Sequence, residues 1–278
     1  MKIEQVQFRG AACVRLEVAG ARVLVALQGA QVLSWQTPDG RERLFLGERA
    51  RLDGGAAIRG GIPVIFPQFG ARGRLAKHGF ARLRRWRFVG EVAGAARFEL
   101  ACDGTDTDWP HACAVRLGIR PGAMRLRLDL EVENTGASAL AFSAALHGYL
   151  RVDALASAQL LGLTGQRYED CASGGDVRLD AAPTLRFDGE VDRIYVAPAQ
   201  ALELREDARG LRLSQAGFGE VVVWNPGATL AAGIGDLAPR EYSRFVCIEA
   251  AQVLAPVSLA AGARWCGWQA IETVPASG

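Results

Sequence analysis

An unbroken alternation of apolar and charged residues is the feature that most restricts how this chain can fold. The segment MRLRLDLEVE, residues 124–133, has methionine, leucine or valine at every second position and arginine, aspartate or glutamate between them. Successive side chains of a β-strand point to opposite faces, so this period of two predicts a strand with one buried and one polar face. No segment repeats its apolar residues every 3.6 positions over a helical length. The chain is therefore expected to fold as β-sheets.

Shorter alternating runs, separated by turn residues, extend this prediction over most of the chain. The segments Thr37–Gly40 and Asn134–Gly136 have the composition of tight turns. Residues 155–185 show only a weak pattern, and a short helical turn is expected near Pro239–Tyr242. The predicted strands are 2–8, 12–18, 21–27, 30–36, 86–92, 96–102, 115–120, 124–133, 139–149, 193–196, 202–205, 211–215, 220–224, 244–249 and 264–274.

Many short strands at this chain length predict a large all-β fold, either a sandwich or a barrel. No Pro- or Ser-rich linker interrupts the 278 residues, so residues 1–278 are expected to form one domain. The first ten residues, MKIEQVQFRG, do not resemble a signal peptide, and no apolar run reaches membrane-spanning length. A cytoplasmic protein without a membrane partner is expected.

Charge and cysteine content argue against several classes of protein. The 32 Lys and Arg residues nearly balance the 30 Asp and Glu residues, so a general nucleic-acid-binding protein is not expected. No CxxC pair occurs, so neither a zinc site nor a disulfide framework is predicted, and most cysteines are expected to be buried free thiols. The cysteines are Cys13, Cys102, Cys113, Cys171, Cys247 and Cys266.

The least regular stretch of the sequence combines turns with concentrated positive charge. Residues 59–82 read RGGIPVIFPQFGARGRLAKHGFAR, and glycine or proline at seven positions predicts repeated changes of chain direction. The apolar residues of Ile62–Phe66 are expected to anchor this basic stretch in the core. It contains no acidic residue, so we predict a loop that binds an anionic ligand. Its basic residues are Arg59, Arg72, Arg74, Lys77, His78 and Arg82.

Ionisable residues within apolar runs are candidates for acid–base chemistry. His147 comes late in AFSAALHGYL, and an ionisable group at the end of such a run tends to lie at a sheet rim or in a cleft. Glu249 alternates with Cys247 and Phe245 and should share their face, where a carboxylate is either paired or functional. Asp192 lies just before a predicted strand and is equally compatible with a turn cap.

Other features favour structural interpretations. His111 follows Trp109-Pro110 at a strand entry and is expected to be structural. The acidic segment 103–108 lacks the spacing of an EF-hand loop, so a solvated turn is favoured over a calcium site. Neither Cys113 nor Cys247 suggests a nucleophile. No Ser-His-Asp arrangement, P-loop or dinucleotide-binding glycine pattern is recognisable in the sequence.

Five motifs are distributed along nearly the whole chain: RGGIPVIFPQFG, KHGFAR, GEVDRIYV, VVWNP and EYSRFVCIEAAQV. Their order and spacing resemble the glucose-6-phosphate 1-epimerase (hexose-6-phosphate mutarotase) family, within the wider aldose 1-epimerase or galactose mutarotase-like group. The resemblance implies a large antiparallel β-sandwich, in agreement with the predicted strands.

The resemblance also implies roles for individual residues. His147 and Glu249 resemble the general acid and the general base of the family, and Asp192 resembles a ligand of substrate hydroxyl groups. The other implied substrate contacts are Arg59 and Arg82 for substrate and phosphate, His78 for the sugar ring, and Lys77, where many relatives carry Gln. Arg72 and Arg74 have no assigned role.

The implied reaction is interconversion of the α and β anomers of a hexose 6-phosphate, with glucose 6-phosphate as the expected substrate. Acid–base ring opening needs no metal and no cofactor, so none is expected, and the expected state is a monomer that binds a phosphosugar. Two alternatives remain open. An aldose 1-epimerase acting on unphosphorylated sugars is disfavoured by the basic stretch, and a non-catalytic sugar-phosphate-binding module is disfavoured by the pair His147 and Glu249.

Overall fold

The computed structural model describes residues 1–196, 198, 200–206 and 209–275. The regular structure of these residues is almost entirely β. The strands are β1 Lys2–Phe8, β2 Ala11–Val18, β3 Ala21–Ala26, β4 Val32–Gln36, β5 Val64–Ile65, β6 Arg87–Val92, β7 Ala95–Asp103, β8 Ala112–Pro121, β9 Arg125–Asn134, β10 Leu140–Leu146, β11 Tyr149–Arg151, β12 Gln159–Leu161, β13 Arg167–Asp170, β14 Asp176–Leu179, β15 Val191–Val196, β16 Leu202–Glu206, β17 Arg209–Ala216, β18 Glu220–Asn225, β19 Phe245–Leu259 and β20 Arg264–Pro275. The helical segments are α1 Gly227–Ala231 and two 3-10 turns, Cys171–Ser173 and Glu241–Arg244.

The strands pair antiparallel into three sheets. The smallest has the order β1-β2-β3-β4. The sheet that we call the site sheet has the order β14-β13-β15-β18-β19-β10-β5, and β11 also pairs with β19. The third, which we call the back sheet, has the order β12-β16-β17-β20-β9-β8-β7-β6. The predicted large antiparallel β-sandwich is confirmed.

The alternation in β9 has the predicted consequence for burial. Its residues at even positions, from Leu126 to Val132, are buried, whereas the charged residues between them are partly exposed. The buried side chains join one hydrophobic cluster with residues of the site sheet, among them Leu146, Val246 and Ile248. Burial of each large aliphatic side chain contributes about 1.5–3 kcal/mol. The core therefore lies between the site sheet and the back sheet and leaves the other face of the site sheet available.

The weak region 155–185 contains three strands that the sequence pattern did not predict, β12, β13 and β14. Each has only three or four residues, too few to establish a period of two. Strand β14 lies at the sheet edge and is exposed along its length, with Val177 and Leu179 each 62% exposed. Its apolar residues therefore do not mark a buried face.

Other element boundaries differ in ways that bear on the site. The predicted strand 139–149 is interrupted at His147-Gly148, and the predicted strand 244–249 continues to Leu259 as the longest strand of the site sheet. The helical turn expected near Pro239–Tyr242 overlaps the 3-10 turn at Glu241–Arg244. Among the described residues, no helix is long and apolar enough to cross a membrane.

Candidate active site

Strand register brings His147 and Glu249 together although about one hundred residues separate them in the chain. Strand β10 ends with Leu146 paired to Ala250 of β19, and the pairing resumes in the same register at Tyr149 of β11. His147, in the gap between β10 and β11, therefore lies directly opposite Glu249. Opposed residues of antiparallel strands point to the same face, so the two side chains meet.

The basic stretch explains the gap between β10 and β11. The His147 N–H donates to Pro63 O at 3.0 Å, and the Tyr149 N–H donates to Gly61 O at 2.8 Å. Gly61 has φ of +64°, and a Cβ at this position would lie 2.1 Å from Val32 O. Only glycine fits this close approach. The glycine signal in the sequence thus corresponds to a segment packed against the site sheet on the other side of His147.

The same face of the site sheet carries further polar and aromatic side chains. Val222 of β18 pairs with Glu249, and Trp224, two residues further along β18, has the same orientation. Trp224 in turn pairs with Asp192 of β15. Asp192 therefore lies within a strand and faces the cleft, so the alternative of a turn cap before the strand was wrong.

These side chains and the basic stretch enclose a cleft of about 200 Å³. The site sheet forms its floor, and the turns of the basic stretch form one wall. The cleft is lined by Arg59, Phe69, Gly70, Lys77, His78, Arg82, His147, Tyr149, Asp192, Val222, Trp224 and Glu249.

His147 and Glu249 are close, buried and incompletely paired. His147 Nδ1 lies 3.2 Å from Glu249 Oε1, and the glutamate side chain is 1% exposed. The two groups are not aligned for a hydrogen bond, since His147 Nδ1 and Glu249 Oε2 have no hydrogen-bond partner. Buried polar atoms without partners are uncommon in folded proteins. The pair therefore retains hydrogen-bonding capacity at the floor of the cleft.

Arg59 is held by other protein groups. Its Nε donates to Asp236 Oδ1 at 3.1 Å, and its Nη1 donates to the Tyr149 hydroxyl at 2.9 Å. Burial alone would lower the pKa of Arg59, but Tyr149 and Asp236 raise it above its ordinary value, so the guanidinium stays charged. The Tyr149 ring stacks on His147, with centroids 4.9 Å apart and planes 7° apart. Arg59 thus stabilises the support on which the imidazole rests.

His78 is fixed as a neutral hydrogen-bond donor. The Gly70 N–H donates to His78 Nδ1 at 3.2 Å, and the His78 N–H donates back to Gly70 O at 2.8 Å. Burial lowers the pKa of His78 to about 3, and the charges of Arg82 and Lys77 act in the same direction. With Nδ1 as acceptor, the single proton of the neutral ring is on Nε2. This nitrogen can donate to an oxygen of a ligand.

Arg82 and Lys77 provide positive charge that is not engaged in a salt bridge with any described carboxylate. Arg82 Nη2 donates to Lys77 O at 2.7 Å, while Arg82 Nε is buried without a hydrogen-bond partner. Burial and the nearby charge of Arg59 lower the pKa of Arg82, although Tyr149 opposes this. An anion beside Arg82 would relieve this electrostatic cost.

Comparison with known proteins identifies the family of the chain. A family model described as Aldose 1-epimerase matches residues 12–272 of the chain. The chain belongs to the aldose 1-epimerase family. A protein of Cenchrus ciliaris named "Putative glucose-6-phosphate 1-epimerase" is 31% identical over 281 residues, which cover 95% of this chain and 85% of that protein.

Further relatives of this epimerase come from bacteria. An Escherichia coli K12 protein, also named "Putative glucose-6-phosphate 1-epimerase", is 31% identical over 235 residues and matches 81% of this chain and 78% of its own length. A crystal structure of "a putative mutarotase (YeaD)" from Salmonella typhimurium has a TM-score of 0.89 at 27% identity, covering 99% of this chain and 94% of that one.

Burial shifts the two central groups of this epimerase in opposite directions. It raises the pKa of Glu249 well above its ordinary value, and the charge of Asp192 adds to the effect. It lowers the pKa of His147 well below its ordinary value, and the charges of Arg82 and Arg59 also act downward. Both shifts have the same physical cause, since a low dielectric disfavours either charged form. Near neutral pH the pair is therefore expected to hold one proton between its two members.

Asp192 provides a test of the site through protein stability. Burial raises the pKa of Asp192 from 3.8 to about 6, despite the opposing charge of Lys77. A raised carboxyl pKa means that the folded state binds the proton more tightly, so stability falls as pH rises through this range and then levels off. We expect Asp192→Asn to be more stable than the native chain above about pH 7 by roughly 1–2 kcal/mol.

Thermal unfolding of both proteins between pH 4 and pH 8 measures this difference, which should shrink toward the acid end because Asp192 is then protonated. Asp176→Asn, a change of an exposed aspartate of β14 outside the cleft, is the control. A constant difference between Asp192→Asn and the native chain across this range would contradict the proposed burial of charge.

The structure places every site residue of the sequence prediction in the cleft lining: Arg59, Lys77, His78, Arg82, His147, Asp192 and Glu249. Two basic residues without an assigned role do not line it. Arg72 forms an ion pair with Glu169 of β13, and Arg74 is exposed. His111 packs against Trp109, with ring centroids 5.0 Å apart, as a structural interpretation predicts.

Sequence reasoning missed four contributors to the site. Tyr149, Trp224 and Phe69 line the cleft, and Asp236 holds Arg59 from outside it. Tyr149 was detectable, since it lies two residues after His147 and so shares its face. Trp224 lies in the motif VVWNP, but no role was assigned to this residue. Asp236 had no local signal, because its partner is 177 residues away.

Proposed function

We propose that this epimerase interconverts the α and β anomers of a hexose 6-phosphate, with glucose 6-phosphate as the preferred substrate. The observation that carries the proposal is the position of Arg82 and Lys77, cations without carboxylate partners, in the same cleft as His147 and Glu249. A sugar phosphate has its anion at one end and its anomeric carbon at the other. It matches a cleft with cationic and acid–base groups.

Ring opening requires two proton movements. Glu249 takes the proton of the anomeric hydroxyl while His147 gives a proton to the ring oxygen, the C1–O5 bond breaks, and the aldehyde forms. Rotation about C1–C2 exposes the other face of the aldehyde. Ring closure then returns the C5 hydroxyl proton to His147 and the Glu249 proton to the new anomeric oxygen. No atom or charge is gained by the enzyme over the cycle.

The opposite pKa shifts assist both movements. A glutamate with a raised pKa is a stronger base, and an imidazolium with a lowered pKa is a stronger acid. The reactive form, Glu249 carboxylate with His147 imidazolium, has the same total charge as the neutral pair. The ratio of the two forms is therefore independent of pH, and we expect the rate to stay level above about pH 7, where Asp192, with its pKa of about 6, is ionised.

The remaining groups of the cleft suit the sugar. The Asp192 carboxylate can accept bonds from substrate hydroxyl groups, and His78 Nε2 can donate one. Trp224 and Tyr149 present apolar ring surface. Arg82 is assigned to the phosphate, together with Lys77, whereas Arg59 is assigned to the support of Tyr149 and His147 because its Nε and Nη1 donate to Asp236 and Tyr149.

The proposal is tested by measuring anomer exchange at equilibrium by NMR saturation transfer, with glucose 6-phosphate and glucose as parallel substrates. We expect kcat/KM to be at least about tenfold higher for the phosphorylated sugar, since one charge-assisted hydrogen bond contributes about 1.5–3 kcal/mol. Equal rates on both sugars would favour an aldose 1-epimerase without phosphate specificity. Binding of the phosphosugar without exchange would favour a non-catalytic binding module.

A further inference from the structure

Two cysteines outside the cleft lie directly opposite each other in the back sheet. Cys102, near the end of β7, pairs in register with Cys113, near the start of β8. Their side chains point to the same face, since opposed residues of antiparallel strands do so. Cys113 belongs to the main hydrophobic cluster, and Cys102 packs against it while remaining partly exposed. Both are free thiols.

The backbone spacing of such a pair suits a disulfide. Directly opposed residues of an antiparallel pair have Cα atoms about 4.5 or 5.5 Å apart, depending on their position in the hydrogen-bond ladder. Disulfides span Cα distances of about 4.4–6.8 Å, so both positions are within range. A bond between these sulfurs would close the loop from Asp103 to Ala112 without moving either strand to another register.

The two thiols differ in reactivity. The Cys113 thiol lowers the pKa of Cys102, and the charge of Arg84 acts in the same direction. Burial raises this pKa, but the net shift is downward. Arg84 is held near this loop by an ion pair with Asp106 at 3.4 Å. Cys113 has its pKa raised, first by Cys102 and then by burial. Thiolate character and access together favour oxidation, so Cys102 is the thiol that reacts first.

We propose that Cys102 and Cys113 form a reversible dithiol–disulfide pair that is oxidised by peroxides. The Cys102 thiolate attacks one peroxide oxygen, the O–O bond breaks, and a sulfenic acid forms at Cys102 as hydroxide leaves. The Cys113 thiol then displaces the sulfenic oxygen as water, and the S–S bond forms. Overall, two thiols are oxidised and one molecule of hydrogen peroxide is reduced to two of water.

The other cysteines lack this combination. Cys171 is partly exposed, but burial and the charge of Asp192 raise its pKa to about 11. Burial raises the pKa of Cys13 to about 11 and that of Cys247 well above its ordinary value. Cys266 is exposed and lies opposite Glu131, so no thiol is paired with it across the strands. Cys171 is therefore a suitable internal comparison for Cys102.

Peptide mapping of the full-length folded protein tests the proposal. The protein is treated with a small molar excess of hydrogen peroxide, its free thiols are blocked with N-ethylmaleimide under denaturing conditions, and it is digested with trypsin. Residues 98–116 contain no Lys or Arg before Arg116, so both cysteines lie in one tryptic peptide. We expect this peptide to be unalkylated and two hydrogen atoms lighter, and to regain both thiols after dithiothreitol. The Cys171 peptide should remain alkylated.

Variants separate the two steps. In Cys113→Ser, which keeps a hydrogen-bond donor beside Cys102, the sulfenic acid at Cys102 has no second thiol and should be trapped by dimedone. In Cys102→Ser, the remaining Cys113 of this peptide should stay reduced after peroxide and be alkylated. In the native chain, iodoacetamide should label Cys102 about tenfold faster than Cys171 near neutral pH. Full alkylation of both cysteines after peroxide, or a disulfide formed only after denaturation, would overturn the proposal.

Discussion

Replacement of Glu249 by glutamine is expected to lower the rate of anomer exchange by about 10²- to 10⁴-fold, the usual contribution of a positioned general base. Glutamine has nearly the same shape but cannot accept the proton of the anomeric hydroxyl. Because Glu249 is fully buried and its charge is disfavoured, the variant should fold at least as well as the native chain. The measurement is NMR saturation transfer between α- and β-glucose 6-phosphate, with thermal unfolding recorded in parallel.

Glu220→Gln is the matched control for this change. Glu220 is also a buried glutamate of the site sheet with a pKa raised by burial, and its carboxylate accepts from the Val253 N–H at 2.6 Å, but it does not line the cleft. Its exchange rate should stay within about twofold of the native value, whereas general acid–base catalysis is worth much more. A native rate in Glu249→Gln would remove the glutamate from the proposed mechanism.

His147→Asn extends the same prediction to the acid. The rate of anomer exchange should fall by a similar factor in this variant. His111→Asn, a change at a histidine outside the cleft, is the control. The double variant should lose little more than the slower single variant, since groups that act as a unit are not additive. Independent, multiplying losses would indicate that His147 and Glu249 do not act in one concerted step.

Replacement of Arg82 by alanine is expected to reduce kcat/KM for glucose 6-phosphate by about 10- to 100-fold and to leave exchange of free glucose within about twofold. The basis is one charge-assisted, planar contact to phosphate, worth about 1.5–3 kcal/mol. Arg82 has a buried Nε without a hydrogen-bond partner and no carboxylate beside it among the described residues. An Arg82→Lys variant retains the charge but not the fork and should lose an intermediate amount.

Arg74→Ala is the control for Arg82, because it removes a charge of the same loop outside the cleft lining. It should behave as the native chain on both sugars. If Arg82→Ala slowed exchange of glucose and glucose 6-phosphate equally, Arg82 would serve the architecture of the cleft and not the phosphate. The KM for the phosphosugar should rise with salt concentration in the native chain but not in Arg82→Ala. This difference would be an independent sign of the ionic contact.

The different roles of these arginines could not be predicted from the sequence. Arg59, Arg72 and Arg82 look alike as basic residues of one stretch, and the family resemblance gave Arg59 and Arg82 the same role. Their difference depends on acidic partners from distant strands and loops: Asp236 for Arg59 and Glu169 for Arg72. Charge becomes available to a ligand only where no such partner approaches, and that is a property of tertiary structure.

The pair His147 and Glu249 shows what a local sequence pattern can and cannot predict. The alternation around Glu249 indicated its face correctly, because a period of two is set within one strand. The meeting of Glu249 with His147 depends on the register between strands far apart in the chain, which is set by packing of whole sheets. The large and opposite pKa shifts follow from that burial and are not properties of the residues alone.

Local sequence patterns were sufficient to predict an all-β fold, most of its strands and the turns of the basic stretch, because alternation and glycine or proline act over a few residues, whereas the choice of a sandwich over a barrel came from the family motifs. The family motifs also indicated which residues belong to the site. Three features became visible only in the folded chain: Asp192 lies in a strand, Arg82 and Lys77 have no salt-bridge partner among the described residues, and Cys102 and Cys113 are opposed. Each of these depends on contacts between distant segments, which no local pattern encodes.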